Sequence, residues 1–197
     1  MSDIEKLAND QANPVPDLIR AAIIHYQFET IHPFLDGNGR VGRLLITLYL
    51  VSQGILKRPI LYLSDFFERN KNLYYDNLMR ARTHNDISQW LKFFLTGVIE
   101  TSIKGVSTFD GIMQIQRSLD DRLKPLAGRA AGARLVIDEL YKNQITNASK
   151  VESIIGKSSV SAYKLIADLE KLEILKEITG GQRSRSYVFK EYLELFK

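Results

Sequence analysis

Apolar residues recur every three or four positions through the first two thirds of the chain, and this spacing predicts helices. The run from Asp17 to Ile31 keeps the spacing, and Asp17 is a suitable N-cap for it. A second run, from Arg40 to Gln53, is dense enough in apolar residues to predict a largely buried helix of about four turns. Gly54 follows as a suitable helix end. These runs predict a mainly α-helical fold.

Two longer helical segments come next. Ser64 is predicted to cap a helix that continues to about residue 83. The following helix has apolar residues at i, i+3, i+4 and i+8, which predicts a face in the protein core. That stripe consists of Trp90, Phe93, Phe94 and Val98. A more polar helix is predicted to continue through residues 101–123 and to connect the first domain to the second.

The last third of the chain has a different pattern. Three short helical runs are followed by two strand-like runs, residues 174–178 and 186–189, with the sequence TGGQRSR between them. Glycines in such a connection favour a tight β-hairpin. Three helices and a hairpin predict a winged helix-turn-helix. We therefore predict a catalytic core with its connecting helix in residues 1–126 and a winged helix-turn-helix domain in residues 127–197.

The composition is that of a globular domain, with 45% hydrophobic and 25% charged residues. The chain has no cysteine, which excludes disulfides and thiolate metal sites and favours a reducing cytoplasm. No continuous apolar stretch approaches the roughly 18 residues of a membrane helix, so no membrane partner is expected. The net charge of +4 gives only a weak indication of nucleic acid.

Residues 32–43, with the sequence HPFLDGNGRVGR, concentrate polar chemistry directly before the densest apolar run. Gly37 and Gly39 flank Asn38 and allow the backbone to turn sharply and to approach a ligand. The loop leads into a helix N-terminus, where unpaired N–H groups and the helix dipole favour an anion. Arg40 and Arg43 share one face of the first turn. This combination predicts a polyphosphate site.

Two further residues of the stretch suit phosphate chemistry. A carboxylate such as Asp36 would repel phosphates unless a cation lay between them, and Mg²⁺ binds one or two carboxylates together with substrate phosphates. His32 is the group in this stretch that is suited to move a proton near neutral pH. The residues alone therefore predict a base, a metal-binding carboxylate and a phosphate cradle.

The stretch resembles the signature of the Fic (Fic/Doc) family, H-P-F-x-D/E-G-N-G-R-x-x-R, at every specified position. The resemblance implies a Fic-type helical bundle. It also implies a Mg²⁺-dependent protein adenylyltransferase that transfers AMP from ATP to a Tyr, Thr or Ser hydroxyl of a target protein. In the phosphate-transferring Doc branch a lysine replaces the second loop glycine, and here that position is Gly39. The sequence therefore resembles the AMP-transferring branch.

The resemblance also implies a role for each matching residue. His32 would be the general base and Asp36 the Mg²⁺ ligand, with Arg40 on the β-phosphate and Arg43 on the γ-phosphate. Phe34 would be a core plug that fixes the loop. The residues implied to bind the nucleotide are Gly37, Asn38, Gly39, Arg40, Arg43, Tyr74, Tyr75 and Leu78. His25 is predicted to be structural and to face a neighbouring helix.

The beginning of the chain departs from the family's usual architecture. Fic proteins of this kind usually carry a longer N-terminal region, with a flap hairpin that aligns the target and an inhibitory helix of pattern S/T-x-x-x-E-G/N. No Glu in this sequence is followed by Gly or Asn. Three explanations stay open: a fragment, a naturally short form, or a partner protein that supplies the inhibitory helix.

Two other functions stay open beside AMP transfer. One is a nucleotide-sensing DNA-binding regulator, and the other is a nucleotide-binding form that is inactive without the flap. The residues placed to reach DNA are Ser158, Ser159, Ser161 and Lys164 on the third helix of the winged domain, with Arg183 and Arg185 on the wing. Acidic residues later in that helix favour instead a protein contact or a homodimer. They are Asp168, Glu170 and Glu173.

Overall fold

The computed structural model describes residues 1–12, 14–181 and 184–196 and is mainly α-helical, which confirms the predicted fold class. The chain divides into two compact units, Met1–Gly105 and Val106–Lys197. The division lies inside one long helix, whereas the boundary predicted between residues 126 and 127 lies further along the chain and stays a prediction. Within the described ranges, no helix is both long and apolar enough to cross a bilayer.

The first unit is built around two packed helices that bracket the polar stretch. Its helices are α1 (Ser2–Asn9), α2 (Asp17–Ile31), α3 (Asn38–Ser52), α4 (Leu63–Arg69), α5 (Lys71–His84) and the first part of α6 (Ile87–Leu123). α2 and α3 pack against each other and share one hydrophobic core with α4 to α6. Trp90 and Phe94 are fully buried there, and the Trp90 Nε1–H group donates to the Ala22 carbonyl at 2.9 Å. The predicted core stripe of α6 is confirmed at these two residues.

Two predicted N-caps were wrong. Asp17 is the first residue of α2, and its carboxylate binds the Arg20 guanidinium at 3.0 Å and accepts from the Tyr49 hydroxyl. Ser64 lies inside α4, which begins one residue earlier. The single helix predicted to follow Ser64 is divided at Asn70, whose side-chain amide donates to the Phe66 carbonyl at 2.9 Å. Asn side chains compete for backbone groups in this way and interrupt helices.

The second unit contains the predicted three helices and β-hairpin. Its elements are the end of α6, a 3₁₀ segment (Lys124–Arg129), α7 (Ala130–Leu140), β1 (Ile145–Asn147), α8 (Ala148–Ile155), α9 (Ser159–Lys171), β2 (Leu175–Glu177), β3 (Ser186–Phe189) and α10 (Lys190–Glu194). β2 pairs antiparallel with β3, as predicted. The pattern missed β1, which pairs with the other edge of β3 and gives the strand order β1–β3–β2. A strand of three residues is too short to show an alternating pattern.

Candidate active site

His32 lies at the point where α2 ends and the polar loop begins. It is the C-terminal cap of α2, with φ 51° and ψ 58°, and its backbone N–H group donates to the Phe28 carbonyl at 3.0 Å. This left-handed conformation is uncommon outside glycine, although histidine adopts it more readily than most residues. The side chain is exposed. The backbone turn therefore presents the imidazole to solvent beside the loop.

The loop reaches α3 through a glycine turn that one buried side chain holds closed. Gly37 is the N-cap of α3, with φ 83°, a region that favours glycine. Asn38 is only 2% exposed. Its Oδ1 accepts from the Phe34 N–H group at 2.9 Å, and its Nδ2 donates to the Phe34 carbonyl at 2.6 Å. Because the Asn38 side chain faces inward, its backbone N–H group is what it offers to an anion.

The two arginines of the first turn of α3 lie over the two loop glycines. A Cβ atom on Gly37 would lie 3.4 Å from the Arg40 guanidinium, and a Cβ atom on Gly39 would lie 3.2 Å from that of Arg43. Arg40 is largely exposed and lies 3.6 Å from a carboxylate oxygen of Asp36. Arg43 makes no ion pair with any residue that the structure describes. Both guanidinium groups therefore lie next to the loop glycines at the helix N-terminus.

Asp36 presents one exposed carboxylate at the start of the turn. Its Oδ1 accepts from the Gly37 N–H group at 2.6 Å, and the side chain is 94% exposed. The described residues hold no group of three or more His, Cys, Asp or Glu side chains that could bind a metal ion by themselves. One exposed hard oxygen ligand fits a Mg²⁺ ion whose coordination is completed by phosphates and water. It does not fit a metal site built from protein alone.

A buried aromatic cluster on α2, α4, α5 and α6 contains His25. Its Nε2 lies 2.9 Å from the Tyr74 hydroxyl, and its ring stacks on Phe67 and Trp90 with centroids 5.6 Å and 5.7 Å apart. His25 is fully buried. The prediction that His25 faces neighbouring helices is therefore confirmed, and its structural role stays a prediction.

The predicted nucleotide contacts on α5 occupy different environments. Tyr74 is 4% exposed, and its hydroxyl is hydrogen-bonded to His25. Tyr75 is 57% exposed and Leu78 is partly buried. The structure thus does not bring the Tyr74 ring to the surface, and the accessible ring of the pair is that of Tyr75. Phe34, predicted to be a core plug, is half exposed but packs against Phe28 with ring centroids 6.1 Å apart.

Two residues next to the predicted site were not identified from the sequence. Glu29 lies on the last turn of α2, and Gly42 lies on the first turns of α3. A Cβ atom on Gly42 would lie 2.5 Å from Glu29 Oε1, so this glycine allows the helices to approach closely. Burial raises the pKa of Glu29, and the charges of His32 and Arg43 oppose that rise. No local sequence pattern marks this contact, because Glu29 and Gly42 lie on different helices.

We expect Asn38→Ala to lower the free energy of unfolding by about 2 kcal/mol. The two hydrogen bonds to Phe34 are lost, and the backbone N–H and carbonyl groups of Phe34 lose these partners. Urea denaturation measures this change. Asn77→Ala is the matched control, since Asn77 makes a similar side-chain bond to the Leu73 carbonyl at an exposed position. Its expected cost is below about 0.5 kcal/mol. Equal costs for the two variants would contradict the assigned role of Asn38.

We also expect stability to fall as the pH drops below 6.5. Burial lowers the pKa of His25 from 6.5 to about 4, and the Gly42 backbone opposes this only in part. The unfolded chain therefore binds a proton before the folded chain does. Neutral His25 makes its full contribution to the free energy of unfolding above pH 6.5. This contribution is lost progressively towards pH 4, by about 3 kcal/mol in all.

The measurement is the difference in stability between the wild type and His25→Phe at several pH values. The Phe ring keeps the aromatic packing but cannot titrate. The free energy of unfolding of the variant should therefore depend less steeply on pH between 6.5 and 4 than that of the wild type. The contributions of other titrating groups to the pH dependence are the same in both proteins and cancel in this difference. Identical slopes for the two proteins would show that His25 does not change its protonation on unfolding.

Comparison with known proteins places the similarity around this site. Residues 1–50 match the Fic/DOC family model. Protein adenylyltransferase fic-1 of Caenorhabditis elegans is 46% identical over 55 residues, which cover 27% of this chain and 11% of that protein. The probable protein adenylyltransferase aq_aa38 of Aquifex aeolicus is 56% identical over 41 residues, or 20% and 13% of the two chains. Residues 1–50, which match the family model, contain the polar loop.

Longer matches have lower identity. Protein adenylyltransferase Fic of Drosophila grimshawi is 30% identical over 87 residues, which cover 44% of this chain and 17% of that protein. The chain thus spans less than a fifth of the length of these curated relatives. The crystal structure of a Fic family protein from Desulfovibrio desulfuricans matches 95% of this chain and 53% of its own, with a TM-score of 0.51 and 22% identity. That likeness shows the fold over nearly the whole chain.

Proposed function

We propose that this chain transfers AMP from ATP to a hydroxyl group of a target protein. The premise is that the chain belongs to the Fic/DOC family through residues 1–50. The observation that supports this most directly is the arrangement at the loop. The exposed His32 ends α2 on one side of the loop, and the N-terminus of α3 on its other side carries the two guanidinium groups of Arg40 and Arg43. A base and a polyphosphate cradle in adjacent positions suit nucleotidyl transfer.

In the proposed reaction, His32 takes the proton from a Tyr, Thr or Ser hydroxyl of the target. The hydroxyl oxygen then forms a bond to the α-phosphorus of ATP, and the bond from that phosphorus to the bridging oxygen of the β-phosphate breaks. AMP stays on the target and pyrophosphate leaves. The N–H groups at the start of α3 and the two arginines stabilise the negative charge that develops on pyrophosphate. When bound at Asp36, Mg²⁺ would supply further neutralisation of phosphate charge.

We assign the nucleotide's parts along the same surface. Arg40 takes the β-phosphate and Arg43 the γ-phosphate, while Gly39, without a side chain, leaves the diphosphate region open. Arg43 has no ion pair with a described carboxylate, so its guanidinium is available to the γ-phosphate or to the glutamate of an inhibitory helix. On α5 the exposed ring of Tyr75 and the partly buried Leu78 are the proposed contacts to adenine.

Labelled ATP tests the proposed reaction. The purified chain is incubated with Mg²⁺, a candidate target extract and ATP that carries the label at either the α- or the γ-phosphate. We expect label on protein from α-labelled ATP and none from γ-labelled ATP, since AMP keeps only the α-phosphorus. Transfer of the γ-label would mean phosphoryl transfer instead. Absence of both labels while ATP still binds would support the nucleotide-binding form without activity.

For the second unit we propose a winged helix-turn-helix that contacts protein. The order α7, β1, α8, α9 and a β2–β3 hairpin suits that motif. The exposed face of α9 carries two apolar side chains, Val160 and Tyr163, 61% and 58% exposed. Such side chains suit a protein partner or a second copy better than phosphates. Arg183, predicted to touch DNA, lies outside the described residues.

Titration with duplex DNA at two salt concentrations tests this proposal. We expect no sequence preference and only weak binding that disappears at higher salt. Tight binding with a preferred sequence would instead favour the DNA-binding regulator.

A further inference from the structure

The second unit contains a pocket between α7, β1 and α8. Its volume is about 280 Å³, close to the lower end of the range of small-molecule sites. The apolar part of its lining comes from Val136 and Leu140, which are buried on α7, and from Ile154, which is partly buried on α8. One or two buried waters need far less space, about 30 Å³ each. A pocket of this size and lining suits a small molecule with an apolar body.

The lining of this pocket includes a buried hydroxyl group that lacks a partner. Thr146, the middle residue of β1, lines the pocket and is only 3% exposed. Its Oγ1 makes no hydrogen bond to any residue that the structure describes. An unpaired hydroxyl is costly to bury, and valine has nearly the same shape without the polar group. Stability therefore does not explain the hydroxyl, which is suited to bind a group that enters the pocket.

A cationic side chain at this pocket is available to a ligand. Lys150, on α8, lines the pocket and is exposed, and its Nζ donates to the Ile145 carbonyl at 3.4 Å, a long distance for a hydrogen bond. This contact places the ammonium next to the peptide bond between the first two residues of β1. Glu139, on α7, also lines the pocket, but its carboxylate accepts from Asn143 Nδ2 at 2.6 Å and lies 3.8 Å from Lys142 Nζ. The charge that remains available is therefore positive.

We propose that this pocket binds a small organic acid, whose carboxylate contacts Lys150 and the Thr146 hydroxyl while its apolar body fills the pocket. An ammonium and a hydroxyl both donate hydrogen bonds, and a carboxylate accepts them. A neutral ligand would leave the charge of Lys150 unused, and an inorganic anion would leave the apolar surface unfilled. All of these residues belong to the second unit, so this binding does not depend on the proposed transfer of AMP.

Titration of the isotope-labelled chain with sodium benzoate, sodium butyrate and benzamide, followed by NMR, tests this proposal. We expect benzoate to bind with a Kd of about 1 mM, as suits so small a ligand, and to shift amide signals of α7, β1 and α8. Butyrate, an aliphatic acid, should shift the same signals. Benzamide has the ring of benzoate without its charge and should bind about tenfold more weakly, because a charge-assisted contact is lost.

Two results of this titration would overturn the proposal. If neither acid shifted these signals at concentrations about tenfold above the expected Kd, the pocket would not be an acid-binding site. If benzoate and benzamide bound with equal affinity, the carboxylate would not be recognised.

Replacing the lysine tests the contact to the carboxylate. Lys150→Gln should weaken benzoate binding about tenfold and leave benzamide binding unchanged, because only benzoate carries the charge that the lysine binds. Lys157→Gln is the matched control, since Lys157 is exposed in the same unit and does not line the pocket. Equal weakening of benzoate binding by the two variants would mean that only the general positive charge of the unit attracts the acid, which would contradict the proposed contact.

Replacing the threonine separates binding from stability. Thr146→Val keeps the shape of the side chain and removes the unpaired hydroxyl, so we expect the midpoint of thermal unfolding to rise by about 2 to 4 °C. Benzoate binding should nevertheless weaken about fivefold, because one hydrogen bond to the carboxylate is lost. A lower midpoint would show that the hydroxyl already has a partner, such as water, in the protein without ligand. That result, or unchanged benzoate affinity, would overturn the role assigned to Thr146.

Discussion

Replacing His32 by Ala is expected to reduce AMP transfer by about two to four orders of magnitude, the usual contribution of a general base. The target hydroxyl would then have to attack the α-phosphorus without a group to take its proton. ATP binding should stay close to that of the wild type, since the phosphate cradle at the start of α3 does not include His32. The measurement is transfer of α-labelled AMP to protein, together with ATP affinity by calorimetry.

The control for this variant is His84→Ala. His84 lies at the exposed C-terminal end of α5 and is bonded to Thr83, so its loss should leave transfer unchanged. If His32→Ala transferred AMP as fast as the wild type, His32 would not be the base. If it failed to bind ATP, the loop would depend on this side chain for its conformation, and the role in proton transfer would need other evidence.

Arg43→Ala is expected to weaken ATP binding by about 1.5 to 3 kcal/mol, or roughly one to two orders of magnitude, because one charge-assisted contact is lost. Binding of ADP should change much less, since ADP lacks the γ-phosphate that Arg43 is proposed to hold. Calorimetric titration of both nucleotides measures the difference.

A comparison with Arg40→Ala makes this test specific. Arg40 is assigned to the β-phosphate, which both nucleotides carry. Its loss should therefore weaken the binding of ATP and of ADP to a similar extent. Arg82→Ala, at an exposed position on α5, controls for the loss of a positive charge alone. If Arg43→Ala weakened the binding of ATP and of ADP equally, the assignment of Arg43 to the γ-phosphate would be contradicted.

Much of the candidate site could be predicted because its components are consecutive in the chain. Residues 32–43 bring a base, a carboxylate, a turn and two arginines together whatever the rest of the fold does. The apolar run that follows them predicted α3, and Gly54 ends that helix as expected, with φ 71°. The start of α3 at Asn38 confirms that the loop lies at a helix N-terminus.

Other features depended on contacts that no local pattern contains. Tyr74 and Tyr75 are adjacent in the sequence and equally aromatic, yet one lies in the core and the other at the surface. The reason is the rotation of α5 against α2, which points Tyr74 at His25, 49 positions earlier in the chain. Asn38 belongs to the polar stretch, but its side chain turns inward to hold Phe34.

The sequence by itself determined the mainly helical fold, the place of the polar loop before α3, and the kinds of groups that the loop presents. These follow from local spacing and from the chemistry of neighbouring residues. Only the tertiary structure decided that Glu29 holds a buried carboxylate oxygen against Gly42, with no hydrogen-bond partner among the described residues. That contact exists because α2 and α3 pack closely at a glycine, and the closeness of two helices is set by the whole core around them.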